Sequence, residues 1–175
     1  NTYAIAIKKE LARRLNIQNI SQLAEQPNLR MAFSLEFLNR EDGWPGLMKT
    51  YNLFAKPKGI EHGLAYQAIH EDKIDVTDAY STDGDLERYQ LTVLSDNHGY
   101  FPQYLAVPFV RIDLPDRAMK VLSQLKGVID DERMRDLNSQ TVVDGRTFSE
   151  VARTFLTEQG FNQSSKKNSV LWSVV

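Results

Sequence analysis

Residues 63–85 read GLAYQAIHEDKIDVTDAYSTDGD, and this stretch decides the fold. Apolar residues recur at helical spacing between Glu61 and Asp72, and the apolar run from Ile74 to Ala79 that follows has the length of a buried strand. In open α/β sheets, small ligands lie outside the carboxyl ends of the strands. The stretch therefore predicts an α/β protein whose binding loop follows this strand and carries Tyr80, Ser81, Thr82 and Asp83.

Strand and helix signals alternate on both sides of this unit. Further strands are predicted at Thr2–Ile7, Leu29–Ser34 and Tyr89–Leu94. Short helices are predicted at Lys8–Leu15, Ser21–Gln26 and Leu47–Tyr51. Ser21 is the expected N-cap of the second helix, and Pro45 lies near the first turn of the third. This alternation predicts βα units and a mixed, largely parallel sheet.

The character of the chain changes near Pro108. One more apolar strand is predicted from Ala106 to Leu114, and the sequence after Pro115 is typical of amphipathic helices. These helices are predicted at Ala118–Leu125, Asp130–Leu137 and Phe148–Glu158, with a last strand at Val170–Val175. We therefore place a boundary near Pro108, and we expect the three helices after it to form a poor core on their own.

Composition excludes several classes of function. The chain has 175 residues with 21 basic and 23 acidic side chains, and no basic run is longer than Lys166-Lys167, so it lacks the positive surface that nucleic acids require. It has no cysteine, which excludes disulfides, thiolate metal sites and cysteine nucleophiles. No apolar run approaches the roughly 20 residues that cross a bilayer. The chain begins without methionine and enters a strand almost directly after Asn1, which indicates a cut piece, and any signal sequence or anchor upstream would have been removed with the missing residues.

Aromatic side chains cluster at the predicted strand ends and loops. They are Tyr3, Tyr80, Tyr100, Phe101 and Tyr104. Aromatic faces attract cations, and a box of such faces is the usual site for a quaternary ammonium group, which can donate no hydrogen bond. Each tyrosine taken alone is better explained as a half-buried packing residue with its hydroxyl satisfied. The prediction of a cation site therefore depends on the grouping.

Arg40 follows a predicted strand, where its guanidinium is able to clamp a carboxylate through two parallel hydrogen bonds. The alternative is a surface ion pair with Glu36, Glu41 or Asp42, and the residues alone favour it. The polar residues after the central strand are equally open to two interpretations. They either bond a ligand or close a turn on their own backbone.

Motifs for catalysis and for metal binding are missing from the sequence. The three histidines, His62, His70 and His98, lack the spacing of metal ligands and are predicted to lie on the surface. Ser81 stands in no Gly-x-Ser-x-Gly elbow, the stretch around Asp83 fails the calcium-loop pattern, and no glycine-rich phosphate loop is present. The sequence therefore predicts binding rather than bond-breaking chemistry, with no cofactor and no metal.

Several short motifs stand in the order that is seen in one family. They are Asn1-Thr2-Tyr3-Ala4, Glu36-Phe37 with Arg40 and Asp42-Gly43, Gly63-Leu64-Ala65-Tyr66-Gln67-Ala68, Ile74-Asp75-Val76, Asp78-Ala79-Tyr80-Ser81-Thr82-Asp83-Gly84, and Phe101-Pro102 with Tyr104. With these motifs the chain resembles the substrate-binding component of ABC transporters for glycine betaine, choline and related osmoprotectants. The resemblance covers nearly the whole chain.

The resemblance implies a type II periplasmic-binding-protein fold, in which two α/β lobes close on a ligand. Residues 1–106 would then be the second lobe, a complete βα lobe. Residues 107–175 would be the mainly helical part of the first lobe, whose initial half this sequence lacks. Helices without the sheet that they normally cover predict exposed apolar surface, a swapped homodimer or disorder in residues 107–175.

The resemblance also implies a set of site residues. They are Tyr3, Tyr80 and Tyr104 around the trimethylammonium group, Arg40 on the ligand carboxylate, and Thr82 and Asp83 as further ligand contacts. Gln103 is a departure from the family, which usually has a second proline before the last tyrosine. The expected ligand is glycine betaine, choline or a related quaternary amine, and Arg40 favours a zwitterion.

The function implied by the resemblance is capture of this amine and its delivery to an ABC transporter permease, with no covalent step. The expected location is extracytoplasmic, in the periplasm or at the outer face of the cell membrane, as a lipoprotein or a domain fused to the permease. One alternative is a ligand-sensing regulatory domain on the same fold. A second alternative is an enzyme that uses Glu36, Asp42 or Asp83 as acid or base.

Overall fold

The computed structural model describes residues 2–161 as an α/β fold. Its strands are β1 (Tyr3–Lys8), β2 (Ala32–Ser34), β3 (Lys58–Ile60), β4 (Val76–Tyr80) and β5 (Leu91–Val93). Its α-helices are α1 (Lys9–Leu15), α2 (Leu35–Asn39), α3 (Trp44–Tyr51), α4 (His62–His70), α5 (Asp85–Arg88), α6 (Asp116–Ser123), α7 (Asp131–Val142) and α8 (Phe148–Glu158). A 3-10 helix spans Ile20–Glu25. The alternation of strands and helices predicted for the first hundred residues is confirmed.

The sheet is mixed, as the sequence predicts. β1 runs antiparallel to both of its neighbours, β4 and β5, while β2 and β3 pair in parallel. A parallel bridge between Met31 and Val76 joins the two groups of strands. Because β4 and β5 are both antiparallel to β1, they share a direction, and β2 and β3 follow the same direction. These four strands thus share a direction, as a largely parallel sheet requires, while both ladders of the reversed strand, β1, are antiparallel.

The alternation of β1 divides the core between the two faces of the sheet. Ile5 and Ile7 are fully buried in the larger cluster, where they pack with Phe33. Ala6 points to the opposite face and packs in a second cluster with Ile69. Tyr3 belongs to the same face as Ile5 and Ile7 and therefore starts a strand whose inner side chains are all buried. The Tyr3 ring therefore lies at the edge of the larger core cluster, at the first residue of β1.

The helix termini show which local signals were sufficient. Pro45 lies in the first turn of α3, as predicted, and the Asp130 carboxylate caps α7 by accepting a hydrogen bond from the Arg133 N–H. The predicted cap at Ser21 is wrong. The 3-10 helix begins one residue earlier, with Asn19 at the cap position and its N–H donating to Gln22 Oε1 at 2.9 Å. The reciprocal Asn19–Gln22 contact outweighs the Ser21 hydroxyl as a start signal.

The predicted strand from Ala106 to Leu114 is wrong, because these residues form no strand and largely face solvent. Phe109 is 103% exposed and Ile112 is 106% exposed. A strand needs a partner for its backbone groups, and none of the described strands pairs with this segment. The predicted strand at Val170–Val175 lies outside the described residues.

The helices of the second part bury little apolar surface. α6 and α7 contain no buried residue, whereas α8 buries Val151 and Phe155. The structure therefore shows the exposed apolar surface that the sequence predicts here, and the swapped homodimer stays a prediction. Within residues 2–161, every helix falls short of the length and apolar character that a membrane crossing requires.

Candidate functional site

Tyr3 and Tyr80 meet at the end of the sheet. The antiparallel register of β1 and β4 sets them directly opposite each other, and their ring centroids are 5.2 Å apart with the ring planes 29° from parallel. The Tyr3 ring also packs on Phe37 at 5.2 Å, and its hydroxyl donates to Glu36 Oε1 at 3.0 Å. Burial, together with hydrogen bonds to Tyr80 and Glu36, raises the pKa of Tyr3 above its usual value, so its hydroxyl stays protonated.

Arg40 reaches the same place from α2. Its guanidinium carbon lies 5.9 Å from the centroid of the Tyr3 ring, within the range of a cation–π contact. Its Nε and Nη2 atoms donate to the two Asp42 oxygens at 2.8 and 2.7 Å, and Nη1 lies 3.4 Å from Glu36 Oε1. The surface ion pair that the sequence favours is thus present. The hydrogen bonds from Arg40 lower the pKa of Asp42, so this carboxylate stays ionised.

The loop after β4 is held from both sides. Ser81 and Thr82 are buried, and Ser81 exchanges hydrogen bonds with Thr2, whose N–H donates to Ser81 Oγ at 3.0 Å and whose carbonyl accepts from the Ser81 N–H at 2.9 Å. From α7, Arg135 Nη1 donates to the Ser81 carbonyl at 2.7 Å and Asn138 Nδ2 to the Thr82 carbonyl at 2.8 Å. Helix α7 therefore supports the loop that follows Tyr80, the last residue of β4.

Asp83 turns back toward this loop. Its Oδ2 atom accepts from the Tyr80 N–H at 3.2 Å, lies 3.4 Å from His62 Nε2 and accepts a short hydrogen bond from the Tyr66 hydroxyl. Burial opposes the ionisation of Asp83, but the hydrogen bonds from His62 and Tyr66 outweigh it and lower the pKa of this carboxyl. The predicted loop residue is thus an ionised group with several donors around it.

A second carboxylate, Asp78, is buried beneath His62. Its oxygens accept from the Ser34 N–H at 2.6 Å and from the Ser34 hydroxyl at 2.7 Å, and Oδ2 lies 3.7 Å from His62 Nδ1. The same Ser34 hydroxyl accepts from the Phe37 N–H and caps α2. Asp78 therefore ties β4 to the helix that carries the neighbours of Tyr3.

The segment that leads to Tyr104 is anchored at Asp96. The Asp96 carboxylate accepts from the Phe101 N–H at 2.7 Å, and the buried Phe101 ring lies 6.2 Å from the ring of Phe37, the neighbour of Tyr3. Tyr104 follows in an irregular segment and is about half exposed. The structure thus brings Tyr3, Tyr80 and Arg40 together and leaves Tyr104 at the surface beyond Phe101.

Sequence reasoning missed the polar residues behind Tyr80. The prediction that His62 lies on the surface is wrong, since its side chain is 30% exposed and faces Asp78 and Asp83. The only local signal was Tyr66, one turn later on α4, whose ring lies 5.3 Å from the His62 ring. Within residues 2–161, the His, Asp and Glu side chains form no group suited to hold a metal ion.

The charges around the tyrosine pair are mostly negative. The ion pairs of the site contain two cationic groups, Arg40 and His62. They also contain four carboxylates, which are Glu36, Asp42, Asp78 and Asp83. The carboxylates of Asp78 and, next, Asp83 raise the pKa of His62 to about 10, which outweighs the opposing effect of burial. Even with both cations counted, the site favours a positive group over an anion.

Comparisons with known proteins agree with this architecture. Residues 1–158 match the model of a family described as the substrate binding domain of ABC-type glycine betaine transport systems. The chain is 35% identical, over 91% of its length, to an ergothioneine transport permease/ergothioneine binding protein of Helicobacter pylori, and 33% identical, over 90%, to a glycine-betaine-binding protein of Pseudomonas aeruginosa. It spans 30% of the first relative and 56% of the second.

A solved structure shares the fold. It is described as the crystal structure of a glycine betaine/carnitine/choline ABC transporter, and it superposes with a TM-score of 0.84 at 31% identity. The match covers 92% of this chain and 60% of that one. The fold is therefore that of the periplasmic-binding-protein-like components of ABC transporters. The chain belongs to the family of substrate-binding domains of ABC-type glycine betaine transport systems.

Proposed function

We propose that this protein binds a quaternary-ammonium ligand at the Tyr3–Tyr80 pair and delivers it to an ABC transporter permease. The observation that carries the proposal is the stacked pair itself, with the Arg40 guanidinium 5.9 Å from the Tyr3 ring. A cationic group already lies against this aromatic surface. A trimethylammonium group has the charge and the apolar surface for the same kind of contact.

The ligand group is inferred from what these side chains are able to exchange. A quaternary ammonium donates no hydrogen bond, so aromatic faces and nearby negative charge are its main sources of affinity. Each cation–π contact contributes about 0.5–2 kcal/mol, and the surplus of carboxylates around the pair adds attraction for a cation. The ligands named for two relatives, ergothioneine and glycine betaine, both join a trimethylammonium group to a carboxylate.

Arg40 supplies the second half of the recognition. Its pairs with Glu36 and Asp42 are solvent exposed, where water screens the charges, so a ligand carboxylate is able to take over the guanidinium at little cost. A zwitterion would then draw Arg40 away from the Tyr3 ring and leave that face to its own ammonium group. This exchange favours glycine betaine and its relatives over choline, which has no carboxylate.

The remaining site residues and the transport cycle complete the proposal. Tyr104 would close on the ammonium group from the exposed segment, and Thr82 would contact the ligand from the loop after β4. Residues 1–106 would form one lobe and residues 107–175 part of the other, with closure around the ligand by a hinge motion. The protein would act outside the cytoplasm, with no enzymatic step, and its closed form would dock on the permease.

The test is an NMR titration of the chain with glycine betaine, choline and tetramethylammonium. We expect saturable shifts near Tyr3 and Tyr80, and a loss of affinity of about fivefold or more in Tyr80→Leu, because one aromatic face is removed. Phe54→Leu is the matched control, since Phe54 is an exposed aromatic residue outside the ring contacts of the site.

Arg40→Ala separates the two halves of the ligand. We expect it to weaken glycine betaine and to leave tetramethylammonium unchanged or tighter, since the internal cation leaves the Tyr3 ring. Absence of saturable shifts with all three ligands, or an affinity indifferent to Tyr80→Leu, would contradict the proposed function.

A further inference from the structure

We propose that His62 and Asp83 are positioning residues that fix the Tyr80 ring against Tyr3, and that Asp83 supports the site in this way rather than through contact with the ligand. The inference concerns the architecture of the site and rests on the proposed function only for its ligand readout. It follows from a continuous set of contacts that begins at Tyr80 and ends on the helix beside Tyr3.

The first link holds the backbone of Tyr80. Asp83 Oδ2 accepts from the Tyr80 N–H at 3.2 Å, while the Asp83 N–H donates to the Tyr80 carbonyl at 3.0 Å. This reciprocal pair closes a tight turn at the end of β4. Tyr66 donates to the same Oδ2 atom, and the His62 Nε2 atom lies 3.4 Å from it. With these donors already arranged around it, Asp83 is committed to the turn.

The second link holds the side chain of Tyr80. The His62 ring lies 5.3 Å from the Tyr80 ring at an interplanar angle of 54°, a tilted aromatic contact. His62 therefore meets Tyr80 twice, once through its own ring and once through the Asp83 carboxylate. The Tyr80 ring thus contacts both the Tyr3 ring and the His62 ring, at nearly equal centroid distances.

The third link joins His62 to the opposite side of the site. His62 Nδ1 lies 3.7 Å from the buried Asp78 carboxylate, an ion-pair distance, and Asp78 is bonded to both the N–H and the hydroxyl of Ser34. Ser34 caps α2, the helix that carries Phe37 beneath the Tyr3 ring. The contacts thus connect His62, which packs on the Tyr80 ring, to α2, which packs on the Tyr3 ring.

Charge makes histidine the suitable residue at this position. His62 lies between two carboxylates, one of them almost fully buried, and a buried charge without a partner is strongly unfavourable. A cationic imidazole compensates both carboxylates from its two ring nitrogens and offers a flat ring to Tyr80 at the same time. A neutral amide would keep part of the hydrogen bonding and lose both the charge and the ring.

The experiment compares wild type with His62→Gln and with the milder Asp83→Asn. His70→Gln is the matched control, because His70 is an exposed histidine at the other end of α4. Nuclear Overhauser contacts between the Tyr3 and Tyr80 ring protons are measured in the free protein, and the affinities for tetramethylammonium and glycine betaine are measured by titration.

We expect both variants to weaken the Tyr3–Tyr80 ring contacts while the amide spectrum stays that of a folded protein. We expect both ligands to lose affinity by a similar factor of about five in His62→Gln, since the loss concerns the aromatic contact that they share. A loss confined to glycine betaine would instead mark His62 as a contact of the ligand carboxylate and would overturn the inference.

The two proposals fail in different ways. If the wild-type chain binds neither ligand, the proposed function fails, and the ring contacts in the free protein still decide whether His62 and Asp83 position Tyr80. If the ring contacts of His62→Gln and Asp83→Asn are the same as those of wild type, the positioning role is overturned, whatever the ligand does.

Discussion

Phe37 and Phe109 are the same kind of large apolar residue in the two parts of the chain, but Phe37 is fully buried and Phe109 is fully exposed. Phe37 is on a helix that packs against a sheet, in the larger core cluster. Phe109 lies in a segment with no regular structure before α6. The difference teaches that apolar sequence becomes core only where another element supplies the matching surface.

The two parts also differ in how they take part in the site. Residues 2–101 supply Tyr3, Tyr80, Arg40 and the polar network behind them. The later helices contribute support through Arg135 and Asn138, which bond the loop at the end of β4. These hydrogen bonds hold the later helices to one loop, whereas the first part is held together by an extensive apolar core. Four predictions test this contrast.

The largest effect is expected from Phe37→Ala. Removal of a buried aromatic ring leaves a cavity and costs about 3–5 kcal/mol of the free energy of unfolding. Phe109→Ala is the matched control and should change stability by no more than about 0.5 kcal/mol, because the fully exposed Phe109 side chain buries no apolar surface that the substitution could remove. Urea unfolding of both variants measures the contrast, and comparable losses would show that the exposed segment packs after all.

The junction between the two parts should respond to Gly84→Ala. A Cβ atom there would lie 2.7 Å from the backbone of Asn138 and Ser139, so α7 must move, and overpacking of this kind costs about 1–3 kcal/mol. We expect amide hydrogen exchange to speed up in α7 and in the 81–84 loop while the β1–β4 pairing stays protected. Asn138→Ala, which removes one hydrogen bond to the loop, should give about 1 kcal/mol in the same direction.

Faster amide hydrogen exchange throughout the sheet of the Gly84→Ala variant would contradict this prediction. It would mean that α7 is part of the main cooperative unit rather than a support attached at one loop.

The pH dependence of stability should identify His62. Its pKa is raised from 6.5 to about 10 by the neighbouring carboxylates, so its contribution to stability is fully present below pH 6.5 and is lost as the pH rises through about 10. The titratable groups around it are Tyr66 on its own helix and, from β4, the loop and α5, Asp78, Asp83 and Asp85.

We expect wild type to lose stability relative to His62→Gln between pH 7 and pH 10, when the free energy of unfolding is measured at several pH values in that window. Parallel curves for the two proteins would show that His62 is not the group responsible.

The smallest effect on folding, but a visible one on association, is expected from the pair of substitutions Phe109→Ser and Ile112→Ser. Both side chains are fully exposed, so stability should stay within about 0.5 kcal/mol. A homodimer formed through this apolar surface should dissociate, as measured by sedimentation equilibrium. A dimer that persists unchanged would place the interface elsewhere.

Much of the local structure was predictable because local contacts determine it. α8 has the predicted bounds, Phe148 to Glu158, since a capping box between Thr147 and Glu150 defines its start. The strand expected at Ala106–Leu114 failed for the opposite reason, because strand formation depends on a partner distant in sequence. The meeting of Tyr3 and Tyr80 was expected from the family resemblance, and the register of β1 and β4 shows how it arises.

The polar half of the site was not predictable in the same way. His62 meets Asp78 and Asp83 only because α4 folds back over β4, and nothing in the spacing of these residues distinguishes that pairing from a solvated surface. Arg40 shows the intermediate case, in which the residues alone favoured the ion pair with Asp42 that the structure contains, while its approach to Tyr3 depended on the fold.

The sequence by itself determined the alternation of strands and helices, the chemistry of the tyrosine and arginine side chains and the family of the chain, because periodicity, turn residues and short motifs are local. The tertiary structure alone decided which apolar segments became core and at which end of the sheet Tyr3 meets Tyr80. It also decided which carboxylates surround His62 and keep it protonated. Those outcomes depend on the pairing of segments that are distant in sequence and on the burial that results. Such a contact contributes free energy only once its partner segment is in place.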